Sequence, residues 1–394
     1  MSTDPIVISG SARTPIGSFQ GALSSLRATD LGAVAVRAAT QRAGAAFTAI
    51  DRIYMGCVLS AALGQAPARQ AALGAGLSES VQATTVNKMC GSGMQAAIMA
   101  VETLQANAAD IIVAGGMESM TNAPYALPKH RSGARIGHDR VIDTMMMDGL
   151  EDAYEPGKPM GAFAQDTADS YRFSRQMQDA YALRSLERAR TAIASGAFAA
   201  EIAPVAVTNR TGPVLVDTDE QPGHARPEKI ASLKPAFSNS GTITAASSAS
   251  ISDGAAALVL TRQSVAQRLD LAVAARVVGC AAHAQGPALF TTAPVGAIGK
   301  LLADIGWTVN DVDLFEVNEA FAAVAMIAAH DLGIQEDRLN VNGGATALGH
   351  PIGASGARLI VTLLAALKHR GLRRGVASLC IGGGEATAMA IELI

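Results

Sequence analysis

One order of events occurs twice in this chain, and it narrows the possible folds more than any other feature. Thr84 to Asn87 runs into Lys88-Met89-Cys90-Gly91-Ser92-Gly93 and a helix expected to reach about Leu104. A strand from Ala109 then ends in Gly115-Gly116. Further on, Asn340-Val341-Asn342 runs into Gly343-Gly344 and a glycine-rich turn holding Gly349-His350-Pro351, with a helix expected from about Ser355 to Lys368. A strand from Gly375 then ends in Gly382-Gly383-Gly384. Short apolar runs alternating with helical periods predict an α/β architecture. Their recurrence over such a distance predicts a duplicated domain, not a short-period repeat.

Earlier elements fit the same scheme. Pro5 to Gly10 predicts a first strand, Thr29 to Gly44 a helix, and Ile50 to Gly56 a strand leading to a helix near Gln65. Val312 to Asn318 predicts a strand that enters a helix over Glu319 to Leu332. Between the halves, Met120 to about Ser250 changes texture, with many Pro, His, Met and charged residues and one amphipathic helix near Arg175 to Ser195. Segments this long inside a compact protein are usually functional, so this one is expected to cover a site.

Hydrophobic residues form 49% of the 394 positions and charged ones only 16%, a balance that excludes disorder. The net charge of −3 gives no basic excess for nucleic acid. Met1-Ser2-Thr3-Asp4-Pro5 has neither the basic nor the apolar region of a secretion signal, and Ile391-Glu392-Leu393-Ile394 is no peroxisomal address. Apolar stretches such as Ala320 to Ala329 look too short to span a bilayer. Cys57, Cys90, Cys280 and Cys380 lie far apart without C-x-x-C spacing, which argues against a metal knuckle or disulfide scaffold. A soluble, reduced, cytoplasmic protein is the expectation.

Four turns carry possible chemistry. A thiol at a helix N-terminus meets free N–H groups and the positive dipole end, which favours Cys90 as a reactive thiolate, with a small buried hydrophobe as the alternative. His350 is the one ionisable side chain in the matching turn, placed as a base or as a structural histidine. The turn lacks G-x-x-x-x-G-K-[ST], so it is not a P-loop, although glycines before a helix can bind anions. Cys380 ends a strand beside the bare backbone of Gly382-Gly383-Gly384. Asn318 either caps its helix or presents an amide to the site. Duplication brings equivalent strand ends together, so these turns can converge.

Asn87-Lys88-Met89-Cys90-Gly91-Ser92-Gly93, Asn318-Glu319-Ala320-Phe321-Ala322, Asn342-Gly343-Gly344 with Gly349-His350-Pro351-Ile352-Gly353, and Cys380-Ile381-Gly382-Gly383-Gly384 together resemble the thiolase family, from Val7 to the C-terminus. The resemblance implies a five-layered αβαβα fold with a loop domain over a coenzyme A site. It divides the chain into an N-terminal half at 1–119, a loop domain at 120–250, completion of the first half at 251–271 and a C-terminal half at 272–394. It implies reversible Claisen condensation of acetyl-CoA to acetoacetyl-CoA, and thiolysis of 3-ketoacyl-CoA, with CoA thioesters as substrates and no tightly bound cofactor. Cys90 would carry the acyl group, His350 would activate it, and Cys380 would move the α-proton. Asn318 would hold a water at the enolate oxygen, and the amides of Cys90 and Gly382 would form the other oxyanion hole. A ketoacyl-synthase-like condensing enzyme and an inactive scaffold of the same fold are the alternatives.

The resemblance also places Leu150, Met160, Phe237, Phe290 and Phe321 near the thioester, Ala249 where relatives carry a pantetheine-contacting serine, and Arg226 nearest to an expected arginine. Ser248 or Ser250 stands ready to replace that serine. Pro159 stands where many relatives have histidine, and Phe290 where short-chain relatives often have methionine. A homotetramer joined through 120–150, with its Met145-Met146-Met147 run, is expected, with a homodimer as the alternative.

Overall fold

The computed structural model, described for residues 4–209 and 212–394, builds one ladder twice. The first half holds β1 (Ile6–Arg13), β2 (Arg52–Gly56), β3 (Gln82–Val86), β4 (Ile111–Ser119) and β5 (Ser252–Arg262). The second holds β6 (Ala275–Ala284), β7 (Leu314–Val317), β8 (Arg374–Ile381) and β9 (Glu385–Leu393). Spatial order is β1-β5-β4-β2-β3 in one half and β6-β9-β8-β7 in the other. β2 runs parallel to β4 as β7 does to β8, while β4 and β5, like β8 and β9, are antiparallel. Short antiparallel pairing of Val7 with Arg276 and Ile8 with Ala275 joins the halves into one sheet. The second half lacks a counterpart of β3. Val341 and Asn342 lie in a turn, and a single parallel bridge from Phe315 to Leu339 marks the place.

Helices α1 (Ala28–Ala43), α2 (Pro67–Ala75) and α3 (Ser92–Gln105) belong to the first half. α4 (Met160–Ser170) and α5 (Arg175–Ala194) lie between β4 and β5, and α6 (Ala293–Ile305), α7 (Ala322–Leu332) and α8 (Ile352–Arg370) belong to the second half. Side-chain alternation along the strands sorts these into layers. Val113 and Val259 face Leu31 and Ala71 of α1 and α2. Ile112 and Leu258 face α3 and α8, which also take Leu379 and Met389 from the second half. Phe315 and Val376 face Ile298 of α6 and Val324 of α7. Helix, strand, helix, strand, helix is the five-layered arrangement that the family resemblance implied.

Three local expectations change. The helix expected from Glu319 begins at Ala322, with Phe321 at its N-cap, so Asn318 caps nothing. The reason is Glu319, buried and accepting hydrogen bonds from Tyr181, Ser185, Asn340 and Thr346, which keeps this stretch out of the helix. α8 starts three residues earlier than Ser355, directly after Pro351. Two helical segments, Pro287–Ile305 and Ile352–Arg370, reach 19 residues and are long and apolar enough for a bilayer, contrary to the expectation. The second is 83% buried within the fold, where both of its faces meet sheet or helix, so its apolarity serves the core.

Candidate active site

The cysteine turn is held by its own polar side chains. Asn87 Oδ1 accepts the Met89 N–H at 3.1 Å. Ser92 Oγ accepts from the Lys88 N–H at 2.8 Å and donates to the Met89 carbonyl at 2.6 Å. Together they keep Met89 at φ +46°, a left-handed conformation that a side chain seldom adopts. Cys90 therefore precedes α3 by two residues, with Gly91 as N-cap. A Cβ on Gly91 would lie 2.3 Å from the end of the Ile381 side chain, so glycine lets the halves touch here without displacing it.

Cys90 is half-buried, and its sulfur receives the N–H of Gly382 and its own N–H. These donors lower its pKa, yet burial outweighs them and the thiol is pushed up to about 11, with the Glu118 charge adding to the rise. The thiolate expected from the helix dipole is therefore not the resting form, because desolvation penalises charge more than the dipole favours it. Cys380 is fully buried and its thiol is raised further, by burial and then by Cys90.

His350 is set by its neighbours. Its N–H donates to the Ser250 carbonyl at 3.1 Å. Nδ1 lies 2.6 Å from Ser355 Oγ, whose own proton goes to the Pro351 carbonyl at 2.9 Å. Ser355 thus accepts from Nδ1–H, which leaves Nε2 with a bare lone pair. Burial, then the Arg358 charge, lowers its pKa to about 3, so the ring is neutral. Arg358 Nη2 donates to Asn318 Oδ1 at 3.4 Å, and Asn318 Nδ2 stands 3.5 Å from His350 Nε2.

One largely apolar cavity is lined by Cys90, His350, Cys380, Gly382, Leu150, Met160, Ala249, Phe290 and Phe321. Asn318 reaches it only through its contact with His350. Phe237 stands behind, edge-on to Phe321 at 5.8 Å. Arg226 is exposed and apart from the lining. Ser250 faces the cavity beside Ala249, while the Ser248 hydroxyl is used by the Thr244 carbonyl at 2.8 Å. Sequence reasoning missed Met89, Met120, Gly149, Ile251, Ala320 and Ile352, which complete the wall. Met120 directly follows β4 and Ile352 opens α8, so their position at element ends was the available signal. Among the described residues no cluster of His, Cys, Asp and Glu could hold a metal ion.

A duplicated α/β body that closes two thiols, a neutral histidine and paired backbone donors into one apolar cavity has the parts for acyl transfer by covalent catalysis. The model for the N-terminal domain of thiolase matches residues 6–264, and the model for its C-terminal domain matches 271–393. Acetyl-CoA acetyltransferase 2 of Arabidopsis thaliana is 48% identical over 99% of this chain and 97% of its own length. The Acat5 thiolase from Ascaris suum, solved in complex with coenzyme A, superposes with a TM-score of 0.93 at 40% identity, covering 99% of this chain and 100% of that one. The acetyl-CoA acetyltransferase of Bacillus anthracis superposes with a TM-score of 0.96 at 38% identity over 99% of both chains. The chain belongs to the thiolase family.

Proposed function

We propose that this protein is a CoA-dependent acetyl-CoA C-acetyltransferase, condensing two acetyl-CoA to acetoacetyl-CoA and cleaving 3-ketoacyl-CoA in reverse through an acyl-Cys90 intermediate. The observation that carries the reading is the meeting of Cys90, His350, Cys380 and Gly382 in one cavity. Because both thiols and the histidine rest uncharged, each proton moves only when substrate chemistry calls for it. As Cys90 Sγ attacks the thioester carbonyl, His350 Nε2 takes and keeps the thiol proton, and the departing CoA thiolate takes the proton of Cys380, which is left as a thiolate. The N–H groups of Cys90 and Gly382 are the donors for the tetrahedral oxyanion. A second acetyl-CoA then meets Cys380, which as thiolate removes the α-proton. His350, now protonated, with a water held by Asn318, serves the enolate oxygen. The carbanion attacks the acetyl group on Cys90, the Cys90 thiolate leaves, and it takes back its proton from His350. Cys380 beside the cavity speaks against a ketoacyl-synthase reading, which pairs the nucleophile with other partners.

Leu150, Met160, Phe290 and Phe321 give the acyl group an apolar wall, and Phe237 backs it. Such a wall separates chain lengths by only ~1–3 kcal/mol per methylene. The rigid Phe290 ring supports a short-chain preference, acetoacetyl-CoA first, and Pro159, which opens room beside Met160, supports some tolerance for slightly longer chains. Ser250 takes the place of the serine missing at Ala249 as a contact for the CoA arm, and Arg226 offers a charge outside the cavity for the CoA phosphates. The test is loss of acetoacetyl-CoA absorbance on adding CoA, repeated over a chain-length series. No loss would sink the function, and kcat/KM rising steadily to long chains would sink the preference.

The same reading extends to assembly and setting. A homotetramer, ahead of a homodimer, is supported by exposed Tyr125, Leu127, Ile136, Val141 and Met147 within 120–150. Met145, from the same run, is instead buried against Val58 and Leu59. Light scattering that returns a monomer at micromolar concentration would refute both states. A cytoplasmic enzyme is supported by the four free thiols, and cell fractionation tests it.

A further inference from the structure

The two catalytic turns sit in sockets supplied by the opposite half. Ile381, at the end of β8, packs on Gly91 of the cysteine turn. Glu118, near the end of β4, does the reciprocal task for the histidine turn. Its Oε2 accepts the Gly353 N–H at 2.9 Å, three residues beyond His350. The same carboxylate accepts the N–H groups of Val58 at 3.0 Å and Leu59 at 3.1 Å. The Cys57 thiol adds a longer contact at 3.7 Å. Around it the first half is pared to glycine: a Cβ on Gly116 would lie 2.0 Å from the Gly353 carbonyl oxygen, one on Gly56 2.6 Å and one on Gly93 3.0 Å. Gly353 is thus a plug of bare backbone, and Glu118 is the polar group that holds its N–H.

One of these sockets is apolar and the other is a fully buried carboxylate. A buried carboxylate is costly unless its hydrogen bonds are made, and here three backbone donors make them. An apolar side chain such as Ile381 suffices for packing alone. The carboxylate adds direction, because it fixes the first turn of α8 against Val58 and Leu59, which sit with Met89 and Cys90 in one apolar cluster.

We propose that Glu118 is a positioning residue for the acyl-transfer reaction, setting His350 against Cys90 across the boundary between the halves. The inference rests on the thiolase reading of the site. Glu118 touches no substrate. It acts through Gly353 on the ring three residues before it, and through Val58 and Leu59 on the wall beside the thiol. Cys57 and Cys90 are the titratable side chains coupled to it, and its charge opposes ionisation of both. Burial raises its own pKa to about 7, against the pull of the Val58, Leu59 and Gly353 amides. Above that pH it is a carboxylate, so it is charged throughout the range in which Cys90 titrates.

The experiment uses the full-length enzyme with Glu118→Gln and Glu118→Asp. Steady-state thiolysis of acetoacetyl-CoA gives kcat and KM, and the pH profile of Cys90 alkylation by iodoacetamide, followed by peptide mass, gives the thiol midpoint. For Glu118→Gln, kcat is expected to fall roughly 10- to 100-fold with KM nearly unchanged, the scale of an ångström's misplacement. The alkylation midpoint should move to lower pH, because a neighbouring negative charge is gone. Glu118→Asp keeps the charge but falls a methylene short of Gly353, so kcat should drop while the midpoint stays. A Glu118→Gln enzyme with wild-type kcat, or one that loses kcat with an unmoved midpoint, overturns the proposal. If Glu118→Gln does not fold, wild-type kcat in Glu118→Asp overturns it alone. A wild-type protein that leaves acetoacetyl-CoA untouched would sink the functional reading instead, and the alkylation arm would still decide on Glu118.

Discussion

The two halves share strand order, yet they differ most at one equivalent connection. Between β4 and β5 the chain inserts 120–251, with α4 and α5, while between β8 and β9 it turns within Gly382–Gly384. The long connection supplies side chains to the cavity: Met120, Leu150, Met160 and Ala249. The short one supplies backbone, placing the Gly382 N–H on the Cys90 sulfur two residues after Cys380. Under the proposed function, a duplicated fold has become asymmetric, with selectivity assigned to the inserted segment and charge stabilisation to the tight turn.

The largest effect expected from this division is at the tight turn. Cys380→Ser should lower both condensation and thiolysis by about 10³-fold or more while labelled acetyl still loads slowly on Cys90, as peptide mapping would show. Label found on Cys380 alone would reverse the roles of the two thiols. Next, Gly382→Pro removes one oxyanion donor and should lower kcat ~10²–10³-fold. Gly382→Ala keeps the N–H, and its Cβ would meet only Met160 at 3.7 Å, so it should stay near wild type. Equal losses in these two variants would show that shape, not the donor, matters there.

Stability gives a smaller contrast. Gly384 has φ +87°, and a Cβ there would lie 2.5 Å from the Gln285 carbonyl oxygen, so Gly384→Ala should cost about 2–4 kcal/mol in denaturant unfolding. Gly157, in the long connection, has φ +85° but open space around it, so Gly157→Ala should cost only ~1 kcal/mol. The smallest effect is at the wall. Leu150→Ala should shift relative kcat/KM between acetoacetyl-CoA and the next longer ester by about 10-fold or less, with acetyl loading intact.

The α/β class, the duplication and the four turns that meet at the cavity were legible because each turn sits where periodicity ends beside glycine; the layer count came with the family resemblance, and the strand order was not read from the sequence. The protonation state of Cys90 was not legible. A helix-start position favours thiolate, and only the fold shows how much burial opposes it. Asn318 was ambiguous for a related reason: its neighbour Glu319 resembles a helical residue until Tyr181 and Ser185 arrive from α5, far along the chain. The socket formed by Glu118 was equally hidden, since its donors come from 58, 59 and 353. Arg226 had only nearness in sequence to recommend it, and it stands outside the cavity lining.

Glu319 has one more consequence. Tyr181 and Ser185 of α5 end on its carboxylate, and Arg188, one turn further, donates to the Leu339 carbonyl at 2.7 Å. Elsewhere in 120–251, Asp219 and Glu201 grip buried Arg13 of β1. The inserted segment is therefore tied to both halves, through α5 to the second and through Glu201 and Asp219 to the first. Under the proposed function, the cavity wall that this segment contributes at Leu150 and Met160 is thus braced from both sides, so loosening either anchor should be felt at the acyl pocket although neither anchor touches it.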